Sequence, residues 1–220
     1  MSSSHKAIVD QSSVEVRWVS PAVVAEVPLP GTRRFADLVG ALEPFGPDAS
    51  RIWAEAPSAR LSDIEIRFGL RGGDILLAFS YAGFRILISP FETLYEKDLG
   101  RLADCALRQI GSGGLLPPQG RFFLSYGVHL RLDGITAADY LRTIVGGLPE
   151  VEPDGFSGKL SPAPPMAASA SIRCEKSQNV PGGLFVGCTL EYDGVPELDS
   201  LTGRGLEAAG YVIALLGVRF

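Results

Sequence analysis

The chain has few of the residues that build catalytic and metal centres: only 2 histidines and 3 cysteines in 220 residues. Cys105, Cys174 and Cys188 are odd in number, far apart and free of any Cys-x-x-Cys pair. That spacing excludes the closed zinc motifs and a paired disulfide framework. Reduced, mostly buried thiols in a cytoplasmic setting are the expectation. Long hydrophobic runs are missing too. The most apolar stretch, Leu206 to Val218, is broken by Gly210 and Gly217 and carries Glu207, whereas a membrane span takes about 20 apolar residues. No membrane association is expected. The start, Met1-Ser-Ser-Ser-His-Lys, lacks the apolar run of a secretory signal. Positive charge is in deficit: 20 Lys and Arg stand against 25 Asp and Glu, for a net charge of −5. Nucleic acid, which needs cationic patches to displace phosphate counterions, is therefore not an expected partner.

What the chain does have is apolar content. Hydrophobic residues make up 46% of it, and a chain of this length buries about 70% of its unfolded surface. It also nearly repeats itself. Gly100-Arg101-Leu102-Ala103-Asp104-Cys105-Ala106 reads against Gly203-Arg204-Gly205-Leu206-Glu207-Ala208-Ala209, and Leu38-Val39-Gly40-Ala41-Leu42 against Ile144-Val145-Gly146-Gly147-Leu148. Offsets of 103 and 106 residues are too long for a solenoid. They predict one α/β unit duplicated and fused.

Periodicity supplies the elements. Val14, Val16 and Trp18 alternate with Glu15 and Arg17, a half-buried strand. Phe35, Leu38, Val39 and Leu42 share one helical face, and Pro44 ends that helix. Residues 45–62 read as an irregular connection. Ile64 to Leu70, Ile75 to Tyr81 and Phe84 to Ile88 form a meander, turned at Arg71-Gly72-Gly73-Asp74 and again at Ala82-Gly83. A helix follows with Tyr95, Leu99, Leu102, Ala106 and Ile110 on one stripe. In the second half, Leu124 to Leu132 alternates with Ser125, His129 and Arg131. Thr136 and Asp139 then form a capping box, with Leu141, Ile144 and Val145 inward. Residues 149–166 read as a mobile loop, Ala168 to Cys174 as a strand, and the segment ending at Tyr192 as its partner. From about Glu197 a helix that is apolar all round should be buried on all sides.

The fold expected is α+β: a two-layer sandwich with a largely antiparallel sheet, helices on one face and an internal pseudo-twofold. Its parts would be a flexible N-terminus over 1–12, a first half over 13–110, a joint over 111–120 and a second half over 121–220, in one compact body.

Chemistry is scarce in this pattern. His129 has no nucleophile or carboxylate near it in sequence, and Ser125, four residues earlier on the same strand, would stand ~13 Å away at ~3.3 Å per residue. Gly203-Arg-Gly205-Leu-Glu-Ala208 loosely matches a dinucleotide pattern but lacks the strand and tight turn before it. Gly111 to Gly114 lacks the Lys-Ser/Thr of a phosphate loop. No catalytic residue, metal site or cofactor is expected. With the apolar set of each strand turned to the helices, Arg17, Arg67, Arg85, His129, Arg131 and Arg173 point outward, beside Glu15, Glu65, Glu175, Glu191, Ser125 and Thr189. That face offers forked donors to a protein or a small anionic ligand. The bland alternative is a solvated face whose charges pair across strands.

In the order of its elements, most of all from Ile64 to Leu132, the chain is similar to a sporadically distributed family of bacterial proteins without established chemistry. Those carry a duplicated strand–helix–strand–strand–helix unit. The segment Val14 to Val27, VEVRWVSPAVVAEV, resembles the start of gyrase-inhibitor-like and SOUL-type domains, which implies small ligands held in a central cleft. The duplicated topology resembles the TATA-binding-protein fold, though the acidic balance opposes DNA. The function expected is therefore a non-enzymatic binding or protein-interaction module using the Arg-rich sheet face. The alternative is a small-molecule domain with a cleft at the pseudo-twofold axis. If the C-terminal helix is incompletely covered, it should pair two copies as a symmetric dimer.

Overall fold

The computed structural model describes residues 5–20, 27–55, 64–91, 95–110, 120–145, 154–160 and 167–219. The elements, in chain order, are β1 (His5–Val19), α1 (Arg33–Leu42), β2 (Pro47–Glu55), β3 (Glu65–Leu70), β4 (Ile75–Ser80), β5 (Gly83–Ile88), α2 (Glu96–Ile110), β6 (Arg121–Leu132), α3 (Ala137–Val145), β7 (Gly155–Lys159), β8 (Ser169–Lys176), β9 (Leu184–Tyr192), α4 (Leu201–Leu215) and β10 (Val218–Arg219). The strands hydrogen-bond in the order β2-β3-β4-β5-β1-β6-β9-β8-β7, with β10 beside β1. The β2–β5 and β7–β9 ladders are antiparallel throughout, while His5↔Val218 and Lys6↔Arg219 make a short parallel pair. The fold class is the expected α+β with a largely antiparallel sheet.

Contacts group the chain into two units. One comprises Glu15–Leu124 and Tyr192–Thr202, the other Met1–Val14, Ser125–Glu191 and Gly203–Phe220. In the first unit, Thr32 caps α1 by accepting the Phe35 N–H at 3.2 Å, and a 3-10 turn at Glu43–Phe45 containing Pro44 ends it. Phe35 of α1 packs on Phe68 of β3, 5.6 Å between ring centroids, and Phe68 meets Phe79 edge-on at 6.2 Å. Ile66, Phe68, Leu77, Phe79, Ile86 and Ile88 are buried on this face, as are Leu99, Leu102, Ala106 and Ile110 of α2. Because neighbouring strand residues point to opposite sides, Arg67 and Arg85 lie on the face turned away from α1.

In the second unit, Leu124 lies outside but Val128, Leu130, Ala170, Cys174, Leu184, Val186 and Cys188 bury the inner face. The capping box holds: Asp139 donates its N–H to Thr136 Oγ1 at 3.2 Å and its carboxylate accepts the Thr136 hydroxyl at 2.7 Å. Tyr140 of α3 points inward with its hydroxyl donating to the Leu216 carbonyl. Burial first, then the nearby Cys174, pushes that phenol up to about 12.

Several expectations are corrected. Strand β1 starts at His5, well before Val14, so residues 5–12, read as part of a flexible end, belong to a strand. Residues 47–55 and 155–159, read as irregular connection and loop, are strands β2 and β7. Both stand at the ends of the strand order, where one neighbour suffices and polar, irregular sequence is tolerated. Tyr140 and Leu141 face inward, but Ile144 and Val145 are exposed. Helix α4 is not buried on all sides. Ala208, Ala209, Val212 and Ile213 are covered, whereas Leu206, Tyr211 and Leu215 are exposed, Leu215 at 58%. Residues 21–26, all of the joint at 111–120 but Gly120, and most of the 149–166 segment lie outside the described residues.

Candidate functional site

The sequence pointed to six outward residues, and the structure brings three of them together. Across the first unit, Trp53 of β2 stands opposite Arg67 of β3, Arg67 opposite Ala78 of β4, and Ala78 opposite Arg85 of β5. Glu15 and Arg17 of β1 complete the group through ion pairs with Arg85 and with each other. Ala78, Ser80 and Gly83 leave a hollow of ≈200 Å³ in the middle, walled by Glu15, Arg17, Glu65 and Arg85. Gly83, at φ +150°, is required there, because a Cβ would run into the Trp18 carbonyl.

The three arginines are not equivalent. Arg67 is fully engaged: its Nε and Nη2 donate to Glu65 Oε2 at 2.9 and 2.7 Å, and its Nη1 pairs with Glu55. Arg17 has its guanidinium 5.4 Å from the Phe123 ring centroid, and its Nε lies 3.8 Å from Glu15 Oε1. Arg85 places Nη2 3.7 Å from Glu65 and Nε 4.0 Å from the same Glu15 oxygen. Those separations exceed hydrogen-bond range, about 2.7–3.2 Å for N–H···O. The Nε atoms of Arg17 and Arg85 are both buried and, among the described residues, make no hydrogen bond.

The other three predicted residues belong to the second unit and are separately occupied. Arg131 pairs with Asp10 at 3.0 Å, and Arg173 with Glu175 at 2.7 Å. Ser125 bonds Thr189 at 2.9 Å. His129 has partners that its local sequence did not reveal, since Ser177 lies 48 positions on. Its Nδ1 meets Ser177 Oγ at 2.8 Å, and its Nε2 meets the Asn179 side-chain amide at 3.2 Å. Ser177 Oγ also accepts the N–H groups of Asn179 and Val180, at 3.1 and 2.8 Å. Both oxygen lone pairs are thereby used, and the Asn179 amide nitrogen, which can only donate, makes Nε2 the acceptor in its pair. A serine oxygen so engaged has no electron pair left for attack, and the cluster pins the turn after β8. Burial lowers the His129 pKa, opposed by the charge of Glu175.

A second hollow, ≈250 Å³, lies by α1 and α2 between Ala41, Phe45, Arg101, Cys105 and Arg108. Arg101 sits 5.3 Å from the Phe45 centroid and Arg108 pairs with Asp104 at 2.7 Å. All three cysteines are free. Burial pushes the Cys174 thiol up to about 12, with Glu175 adding to it, and Cys188 up to about 11. Among the described residues no three His, Cys, Asp or Glu side chains are grouped to hold a metal ion, and no helix is long and apolar enough to cross a membrane. The glycine pattern at Gly203 and Gly205 lies inside α4, preceded by a 3-10 turn at Leu198–Ser200 and not by a strand. No protein-family model and no curated protein matches the chain.

Proposed function

We propose that this protein is a non-enzymatic module that binds a partner protein through the Arg-bearing sheet face of the first unit. One observation carries the reading: Arg17 and Arg85, held to Glu15 and Glu65 only at 3.7–4.0 Å, wall a hollow on a sheet face that α1 does not cover. Its size decides between the two binding classes. At ≈200 Å³ it is small beside the ~300–1,000 Å³ of pockets that enclose small molecules, and it suits one side chain projecting from a larger partner. Trp53, 41% exposed on the same face, adds the kind of residue that anchors protein interfaces. The second-unit residues His129, Arg131 and Arg173 are spent on their own neighbours, which favours the first unit over them. Free, largely buried thiols support a reducing, cytoplasmic setting, and the exposed side of α4 supports pairing with a second copy.

The test is native mass spectrometry of protein purified from its host, wild type beside Trp53→Glu. A stoichiometric protein partner present with the wild type and lost with the variant is expected. A retained small molecule, or a partner indifferent to Trp53→Glu, would overturn the reading.

A further inference from the structure

We infer that the outer side of α4 docks a second copy of this chain, the two helices crossing antiparallel about a twofold axis between Gly210 and Tyr211. The inference deepens the pairing of copies named above and is independent of the partner site on the first unit.

From Leu206 to the end of α4, burial alternates in pairs. Leu206 and Glu207 are exposed, Ala208 and Ala209 buried, Gly210 and Tyr211 exposed, Val212 and Ile213 buried, Ala214 and Leu215 exposed. A helix covered on one side leaves such a pattern, and its uncovered side is normally polar. Here Glu207 is the single charge on the exposed stripe, and Leu206, Tyr211 and Leu215 are 37%, 49% and 58% exposed. Apolar residues gathered along one stripe, unlike those scattered singly, mark a contact surface.

The stripe is its own complement. In an antiparallel pair centred between Gly210 and Tyr211, Leu206 faces the second copy's Leu215, Glu207 faces its Ala214 and Tyr211 faces its Gly210. The two bulkiest side chains thus meet the two smallest, the alternation that lets facing layers interdigitate. Gly210 is a notch: a Cβ there would meet nothing within 4 Å. A tyrosine ring seated against it lets the axes approach to the short end of the ~8–10 Å range of packed helices. The same patch is used on both copies, as a twofold interface requires.

Charge says why the occupant is a second copy. Glu207 faces the last turn of the other helix, where the Gly217 N–H donates to the Ala214 carbonyl at 3.0 Å. Arg219 follows Gly217 by two residues of chain, at most about 7 Å. Glu207 and Arg219 are both exposed, and neither is ion-paired among the described residues. The twofold sets each beside its opposite, once at either end of the stripe. Antiparallel helices also oppose their macrodipoles. The stripe is about 14 Å long at ~1.5 Å per residue, too short to bury the ~800 Å² per copy of a stable interface. The dimer is therefore weak and forms with concentration.

The experiment is sedimentation velocity on the full chain from about 10 to 500 μM, a range that brackets weak dimers. The wild type should pass from monomer to dimer and go no further. Gly210→Gln fills the notch. It should weaken the dimer about tenfold or more, while the melting midpoint holds or rises because glycine is the poorer helix former. Glu207→Arg and Arg219→Glu should each weaken self-association about fivefold, through the loss of two surface ion pairs. Mixed in equal amounts, these two variants should form a heterodimer as tight as the wild-type dimer, since each restores the charge the other needs. A wild type that stays monomeric across the series, Gly210→Gln with wild-type self-association, or a mixture no tighter than its components would overturn the inference. Partner capture by the first unit is measured separately and stands whichever of these is found.

Discussion

Phe185 lies across Gly127: a Cβ on that glycine would meet the ring's Cε2 at 2.9 Å, and one on Gly187 would meet Cε1 at 3.1 Å. Two glycines on β6 and β9 thus form the seat of one aromatic ring, whose other neighbour is His129, 4.9 Å away between centroids. The first contact is tighter than a Cβ allows, and Ser13 Oγ limits escape at 3.3 Å. Gly127→Ala should therefore destabilise by about 1–2 kcal/mol, the low range of overpacking, and shift the His129 ring resonances. Gly187→Ala should be near neutral in the same denaturant melts, since its contact can relax by a few tenths of an ångström.

Helix α4 gives a contrast within one element. Leu215 is 58% exposed and Ile213 is 5% exposed. Leu215→Ala should stay within about 0.5 kcal/mol of wild type, as surface changes do. Ile213→Ala should cost about 2–5 kcal/mol, the range for a truncated core aliphatic. Leu215→Asp should remain folded, and light scattering should find it more monomeric than the wild type if two copies meet on this side. Equal melting midpoints for the two alanine variants would refute the assigned facing.

His129 gives stability a pH dependence of fixed sign. Its pKa is lowered from 6.5 in the fold, by burial first. The unfolded chain thus binds the proton more readily, and the contribution of the neutral ring is present above the unfolded value of about 6.5. It is lost as pH falls from there through the lower folded value. A cationic ring would also set an Nε2–H against the Asn179 amide nitrogen, which can only donate. NMR should place the His129 midpoint below 6.5, with the Val180 amide moving in step, and His129→Gln should flatten that part of the stability profile.

The cysteines should differ in reactivity. Cys105 is half-buried at the hollow by α1 and α2, and Cys174 and Cys188 are buried. Reaction follows thiolate fraction and access, and burial raises all three thiols, Cys105 included. With iodoacetamide at pH 8, mass spectrometry should show Cys105 modified first and slowly, with the other two reacting only after unfolding. Early modification of Cys174 would contradict its position on the inner face.

Much of this fold was readable before folding was considered. Alternation located β3, β5 and β8, a nearly continuous apolar run located β4, and the Tyr95–Ile110 stripe located α2, because central strands and packed helices need one continuous apolar face. The outermost strands were missed for the same reason in reverse. Glu55, Trp53 and Arg51 on β2 keep contact with water, and a register shift separates Pro47 from Ile52, so no period survives. Arg17, Arg67 and Arg85 were legible as outward residues. That Arg67 is hydrogen-bonded while Arg17 and Arg85 are held in looser ion pairs depends on where Glu55, Glu65 and Glu15 fall across the ladder, which spacing along one strand does not encode. The strand order matches only in part between the halves: it runs β1-β5-β4-β3-β2 on one side and β6-β9-β8-β7 on the other, so β2 has no counterpart, while α2 and α4 are both 15 residues long. Duplication is the origin we propose for the near-repeat, and superposition of the halves is its check.

The pairing of His5 with Val218 sets a timetable for the ribosome. Strand β1 is made before all of its partners, β5, β6 and β10, the last of them about two hundred positions on. Until then Ile8 and Val9 wait as bare strand in the crowded space around the exit tunnel, where an unmatched edge invites aggregation. Closing so long a loop makes this pairing a late and slow event. The second unit is thus one that cannot form by stages during synthesis, and its yield in a cell will depend on how long its first strand is kept from wrong neighbours.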